Sequence, residues 1–317
     1  MFPKIGNKMY DKVKMWVMGY GQDIGAYLDR AREQTDLLTG EVCTFGSLDG
    51  MKISIFPGGV SIIGSLAKYF YPNNIYPLDR HTTGQALEKL SDGLHLSVKD
   101  AKVTGLEFGA QFVMTHPVQN YLSRLGDMPR LLRYHFEPGT LYYKPRGKQQ
   151  QKVFCFYDKR ADAAVKDMIL PVGLENANLL KYEMRLNGRL SKLLGVADIR
   201  ASTLTERPFY RQLIESYQGN YYSISKESKE KTIIMDEIKT VSDAYDVFVA
   251  RLISQSNQTE ISSFLDELKE AKVFNDRKSY TRLKKKIVEV ATKTGTAVPD
   301  ELLRELDNEI KNVGAYS

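Results

Sequence analysis

A run of aromatic and apolar residues, Lys152-Val-Phe-Cys-Phe-Tyr-Asp-Lys159, commits the middle of this chain to a buried strand. The strand ends on Tyr157, with Lys159 two residues on. Residues two apart in a strand share a face, so the lysine ammonium is expected beside the phenol, where it favours the phenolate. A phenolate is a competent nucleophile for a phosphodiester. An aromatic strand end with a solubilising lysine has the same pattern, and this stretch alone does not separate the two.

Two further stretches have a core face and a sparse polar face. In Val103–Met114, Thr104, Leu106, Phe108, Ala110 and Phe112 share one side. Glu107 stands on the other side between Gly105 and Gly109, and glycines leave room for a ligand or another backbone. In Leu179–Leu186, Leu180, Tyr182, Met184 and Leu186 form the core face, and Glu183 lies opposite between Lys181 and Arg185. Further strands are expected at 10–18, 41–45, 51–56 and 139–144, and helices at 23–35 and from Thr82 or Thr83 to Leu94. Gly58-Gly59 matches no phosphate-loop spacing.

From about residue 201 the spacing becomes mainly helical, at 210–217, 242–254, 260–272, 280–292 and 299–313. The expected organisation is an α+β core over 1–200 and a helical, basic region over 201–317, with a linker near 220–231. The densest charge run, Arg277, Lys278, Arg282, Lys284, Lys285 and Lys286, lies in that region. It suits either a phosphate-contacting helix or a solvated one. The formal net charge of +6 is a weak pointer to a polyanion. Two cysteines, Cys43 and Cys155, in no C-x-x-C pair argue against a zinc knuckle and for a cytoplasmic setting. No apolar run approaches the ~18 residues of a membrane span.

Glu107, Tyr157, Lys159 and Glu183 come from three strand stretches. If these lie side by side, they converge on one open sheet face. Two carboxylates suit a hard divalent cation, Mg²⁺ or Mn²⁺, which would polarise a phosphate for attack by Tyr157.

The sequence resembles the rolling-circle replication initiators of the filamentous phage gene II type, and more distantly the plasmid initiators of the Rep_trans group. Ordered blocks within residues 9–197 carry the resemblance: Met9-Tyr-Asp-Lys-Val-Lys-Met-Trp16, Ile63-Gly-Ser-Leu-Ala-Lys-Tyr-Phe-Tyr-Pro-Asn-Asn74, Val103–Phe112, and Phe154–Lys159 with Leu180–Leu186. It implies an HUH-type α+β core, a central antiparallel sheet with helices on one face and DNA across the other. It implies Tyr157 as the nicking residue, Lys159 as its accompanying lysine, and Glu107 and Glu183 as metal ligands. Two departures stand out. Glu107 replaces the usual aspartate, with Gly105-Leu106 where arginine is expected, and there is no His-hydrophobe-His pair. His116, just after the Glu107 strand, is the candidate histidine ligand.

The implied activity is a metal-dependent, site-specific single-strand nickase and ligase acting through a 5′-phosphotyrosyl link. The implied partners are single-stranded or hairpin origin DNA contacted by Arg185 and the cations at 277–286, a host helicase, since no P-loop is present, and a second copy of the chain. The competing expectation is a non-catalytic, sequence-specific DNA-binding regulator.

Overall fold

The computed structural model describes residues 9–19, 24–71, 73–136, 139–147, 150–226, 239–242, 245, 248–249, 258–274, 276–293 and 301–314. The strands are β1 (Tyr10–Met18), β2 (Asp29–Thr35), β3 (Val42–Leu48), β4 (Met51–Phe56), β5 (Gly59–Ser65), β6 (Lys102–Met114), β7 (Leu132–Phe136), β8 (Thr140–Lys144), β9 (Lys152–Asp158) and β10 (Asn178–Asn187). The helices are α1 (Leu66–Phe70), α2 (Arg80–Leu94), α3 (Val118–Leu122), α4 (Lys159–Val165), α5 (Leu190–Leu194), α6 (Arg207–Tyr222), α7 (Gln258–Glu270), α8 (Arg277–Lys293) and α9 (Glu301–Lys311). The fold is mixed α+β. Among the described residues no helix is long and apolar enough to cross a membrane.

All ten strands join one antiparallel sheet in the order β2-β3-β4-β5-β1-β6-β10-β9-β8-β7. The order contains a duplication. In each half a first strand is followed by a four-strand meander whose last strand returns to pair with the first: β5 with β1, and β10 with β6. The two first strands then pair with each other, joining the halves through β1 and β6. A short helix and then a longer one follow each meander, α1 and α2 in the first half, α5 and α6 in the second. The sequence showed no internal repeat, because a strand's face pattern survives changes of nearly every residue.

One face of the sheet is the core. Val13, Met15, Ile53, Ile62, Leu106, Phe108, Phe154, Phe156, Leu180 and Met184 are buried there. Helix α6 was expected in the helical region beyond residue 200, but it belongs to this core. Its Tyr210, Leu213, Ile214, Tyr217 and Tyr221 recur at helical spacing and are all buried. Tyr182 stacks on Phe156 with ring centroids 4.1 Å apart and packs against Tyr217 at 4.2 Å. The Tyr217 hydroxyl also donates to the Tyr182 carbonyl at 3.1 Å, so aromatic packing and a satisfied polar tip fix the helix together.

The chain divides into a unit of residues 1–226 with 305–317 and a second unit of residues 227–304. The first unit therefore takes back the end of the chain. Gln218 donates to the Ile310 carbonyl at 3.0 Å and Tyr221 to Asp307 at 2.7 Å. Glu305 accepts from the Thr115 backbone at 2.9 Å and from the Tyr121 hydroxyl. In the second unit α7 packs on α8, and Tyr280 donates to the Leu268 carbonyl at 3.2 Å. Most of the helix expected at 242–254 falls outside the described residues; of the linker expected near 220–231, residues 220–222 complete α6 and 227–231 fall outside the described residues.

The helix expected at 23–35 is a 3-10 turn over Gly25–Tyr27 followed by β2. Turn chemistry at Asp36–Gly40 overrides the helical spacing. The Asp36 carboxylate accepts from Leu38 N at 2.8 Å and Thr39 N at 3.1 Å, and Asp36 N bonds Glu41 O, which closes a hairpin with β3.

Candidate active site

The second sheet face carries the polar residues. Register brings Arg185 opposite Glu107, Glu183 opposite Gly109 and Lys181 opposite Gln111 on one side of β10. On the other side Lys181 faces Tyr157 and Glu183 faces Cys155. The three strand stretches singled out from the sequence are thus adjacent, as β6, β10 and β9. Gly109 makes this possible. A Cβ there would lie 2.3 Å from the Tyr182 carbonyl and 2.8 Å from Glu183 Cα, so the glycine gives room to the neighbouring backbone.

Tyr157 donates to Glu183 Oε1 at 2.9 Å. The same oxygen lies 2.8 Å from Lys181 Nζ, and Lys181 also meets Asp11 Oδ2 at 2.8 Å. Glu183 Oε2 takes both Arg185 Nη2 at 2.7 Å and Nε at 3.0 Å. Asp11 is further held by Ser65 Oγ at 2.5 Å and Asn74 Nδ2 at 3.3 Å. A register shift in the β1–β6 pairing between Tyr10 and Val13 lets Asp11 join this face beside Lys12. Glu107 is held only loosely, 3.6 Å from Lys12 and 4.0 Å from Arg185.

Lys159 meets the network at its edge, through Asn74, and not through Tyr157. The Asp158 carboxylate accepts from Arg160 N at 2.9 Å and Ala161 N at 3.1 Å, so it caps α4 and turns the chain out of the strand. Lys159 then reaches Asn74 Oδ1 at 3.2 Å and Asp162 at 3.0 Å. The cation facing Tyr157 is Lys181. His116 is away from the carboxylates. It follows the end of β6 at Met114, about 23 Å of strand beyond Glu107, and its backbone N–H donates to Tyr121.

Burial and charge set the protonation states. Burial would raise the Glu183 carboxyl, but Lys181 and Arg185, each bonded to it, hold it well below the usual range. Burial would lower Lys181, but Asp11 and Glu183 keep it firmly protonated. The Tyr157 phenol is pushed well up, first by burial and then by Glu183 and Asp11, against Lys181. Tyr157 is therefore a neutral phenol at rest. Glu107 is raised by burial and by the Glu183 charge, with Arg185 and Lys12 opposing. Burial pushes the Cys155 thiol up to about 12, so it is inert as a nucleophile.

No protein-family model and no curated protein matches this chain.

Three carboxylates and no soft ligand suit Mg²⁺ or Mn²⁺ in kind. The Glu107 carboxylate, with only long contacts to cations, is the one with coordination capacity left. Glu183 and Asp11 are spanned by Lys181, and among the described residues no three ligating side chains are placed to hold an ion. Side-chain exposure rises from 0% at Lys181 and 3% at Glu183 to 24% at Glu107, 30% at Arg185 and 39% at Lys12. The site is thus a buried well that opens along the sheet face past Glu107.

Sequence reasoning missed Asp11, Lys181 and Asn74. Lys181 was legible, standing two residues before Glu183 on the same face. Asp11 breaks the alternation of β1, and the bulge that places it has no signal of its own. Of the cations expected to bind DNA, Arg185 sits at the mouth of the well. Lys278, Arg282, Lys284, Lys285 and Lys286 are exposed on α8 in the second unit. Arg277 opens α8, and its side chain lies outside the described residues.

Proposed function

We propose that this chain is a rolling-circle replication initiator, a cytoplasmic, site-specific nickase and strand transferase that cuts one strand of an origin with Tyr157. The observation that carries the reading is the Tyr157–Glu183 hydrogen bond, set in a buried ion network at the inner end of an open, cation-lined face. Tyr157 Oη attacks the scissile phosphorus as its proton passes to Glu183 Oε1. The P–O3′ bond breaks, the 3′ oxygen takes a proton from solvent, and the 5′ phosphate stays on Tyr157. Reversal by a 3′-hydroxyl restores the phosphodiester and the phenol.

Arg185 couples binding to chemistry. At rest its charge is spent on Glu183. When the incoming phosphate draws the guanidinium away, Glu183 loses one of its two cations and becomes a better proton acceptor. Arg185 then meets the charge developing on the phosphate. Of the carboxylates, Glu107 is the one free to offer a ligand to a divalent ion, which would supply further positive charge opposite that phosphate. Origin DNA, single-stranded or extruded as a hairpin, is the substrate. A host helicase supplies unwinding, and a second copy of the chain is the partner that joins it at the origin.

The test is cleavage of single-stranded origin DNA with Mg²⁺ or Mn²⁺, resolving covalent adducts on a denaturing gel. A protein–DNA adduct that disappears in Tyr157→Phe is the expected result. Tight, salt-sensitive binding without any cleavage would replace this reading with that of a DNA-binding regulator.

A further inference from the structure

The duplicated sheet places a second, altered copy of the site in the first half. The residues correspond through the pairing register. In the second half Tyr157 faces Lys181, which faces Gln111. In the first, Phe56 faces Gly59, which faces Met18. Two residues on, the pair Glu183–Gly109 corresponds to Ser61–Trp16, and the next, Arg185–Glu107, to Ile63–Lys14. Lys14 pairs with Gly105, and the equivalent couple, Glu107 with Lys12, is an ion pair. The pseudo-twofold axis therefore runs through the sheet near Val13 and Leu106, normal to it, so both copies lie on the same face.

The first-half copy has no chemistry. Its nucleophile position is Phe56, and its two glutamate positions are Ser61 and Lys14. It has instead a continuous aromatic surface, with Trp16 5.9 Å from Phe56, Phe56 6.0 Å from Phe45, and Arg32 5.9 Å above the Phe45 ring. Gly59 is the bed of the indole, since a Cβ there would lie 2.8 Å from the Trp16 ring. All three aromatic residues are half-buried. Lys14 is half-buried and Lys52 exposed between this surface and the mouth of the catalytic well.

We propose that this pseudo-symmetric copy is a non-catalytic grip for single-stranded DNA, on which bases stack while Lys14, Lys52 and Arg32 meet the phosphates. Rings interleaved with cations are the surface a single strand recognises, because every base has a π-face and every linkage a charge. Along and across the sheet the copy lies on the order of 40 Å from Tyr157. It therefore holds a part of the strand well away from the scissile bond, in the direction in which the well opens. The choice of DNA rests on the nickase reading, while the grip itself rests on the rings, the cations and the duplication.

Trp16 is the only tryptophan of the chain, so its fluorescence reports the copy directly. The full-length Tyr157→Phe protein is titrated with a single strand of about 20 nucleotides, following tryptophan emission and, separately, the anisotropy of a labelled strand. The expected result is saturable, salt-sensitive quenching that coincides with binding. Phe45→Leu should weaken binding about tenfold, roughly one base stack's worth, without altering adduct formation by the Tyr157-containing protein at saturating strand. Binding by anisotropy with unchanged tryptophan emission would overturn the proposal. So would an unaltered affinity in a Phe45→Leu protein whose thermal unfolding matches its parent. Quenching without any Tyr157 adduct would keep the grip and remove the nickase. An adduct without quenching would do the reverse.

Discussion

Lys181 stands opposite Tyr157 in the β10–β9 register, and its ammonium lies 2.8 Å from both Asp11 Oδ2 and Glu183 Oε1. One buried cation therefore ties β1 to the carboxylate that accepts from the Tyr157 phenol. Its role is to keep Glu183 ionised and in place, and the phenol hydrogen-bonded to it.

Removing that ammonium exposes the balance. Lys181→Met leaves Asp11 and Glu183 buried with one cation fewer, a change that typically costs about 3–5 kcal/mol. Urea denaturation of the variant should show a loss of that order, and adding Asp11→Asn should recover part of it. A loss under about 1 kcal/mol would mean that water reaches the network and that Lys181 does not bind it together.

Acid should act on the two glutamates in opposite senses. Glu183 is lowered in the folded protein, so its stabilisation is fully present above its unfolded value of 4.5 and fades as pH falls through the lower folded value. Glu107 is raised, so its contribution is present below 4.5 and is lost as pH rises through the higher folded value. Glu183 is therefore ionised at pH 4.5 and above, and on the nickase reading Glu107 sets the acid limb of nicking, above pH 4.5. A pH profile of kcat/KM should show that limb, and Glu107→Gln should remove it along with most of the rate. A limb that persists unchanged in Glu107→Gln would assign it to another group.

The two glycines beside Glu107 should differ sharply. A methyl at Gly109 meets the Tyr182 carbonyl and Glu183 Cα, both backbone, at 2.3 and 2.8 Å. A methyl at Gly105 has its three nearest neighbours in the Lys14 side chain, from 2.8 to 3.1 Å. Gly109→Ala should force β6 and β10 apart and cost more than about 4 kcal/mol, in the diagnostic range for single substitutions. Gly105→Ala should cost no more than about 1–2 kcal/mol as Lys14 swings aside. Similar losses in thermal or urea unfolding would mean that the strands separate easily at this point.

How far the site was legible followed from how its residues are positioned. Glu107, Tyr157 and Glu183 stand on regular strands, where alternation alone assigns a face. Lys159 stood one residue past its strand, and the Asp158 cap turned it toward Asn74 and Asp162 at the edge of the network. Asp11 depended on a bulge, and Asn74 on a loop that crosses to it from 63 residues away. The hairpin of β2 and β3 was hidden because Asp29–Thr35 is exposed throughout, which removes the burial pattern that separates strand from helix. The duplication was hidden for another reason. Its two halves share a topology and a register, neither of which a sequence displays without its strand pairing.

The exposed cations of α8 were open to two readings, and salt dependence separates them. A side chain on a phosphate releases counterions, so each such contact on a single strand adds about 0.7 to the slope of log affinity against log salt. Lys284, Lys285 and Lys286 are exposed, and replacing all three by alanine adds helix propensity without removing any buried apolar surface. If they meet DNA, the triple variant should keep its unfolding midpoint while its salt slope becomes shallower by about 2. Its adduct yield at low salt and saturating DNA should stay that of the parent, since Tyr157 and Glu183 lie in the other unit. A slope unchanged from the parent's would make these lysines a solvated surface and would leave Lys12, Lys14 and Arg185 on the sheet as the phosphate contacts.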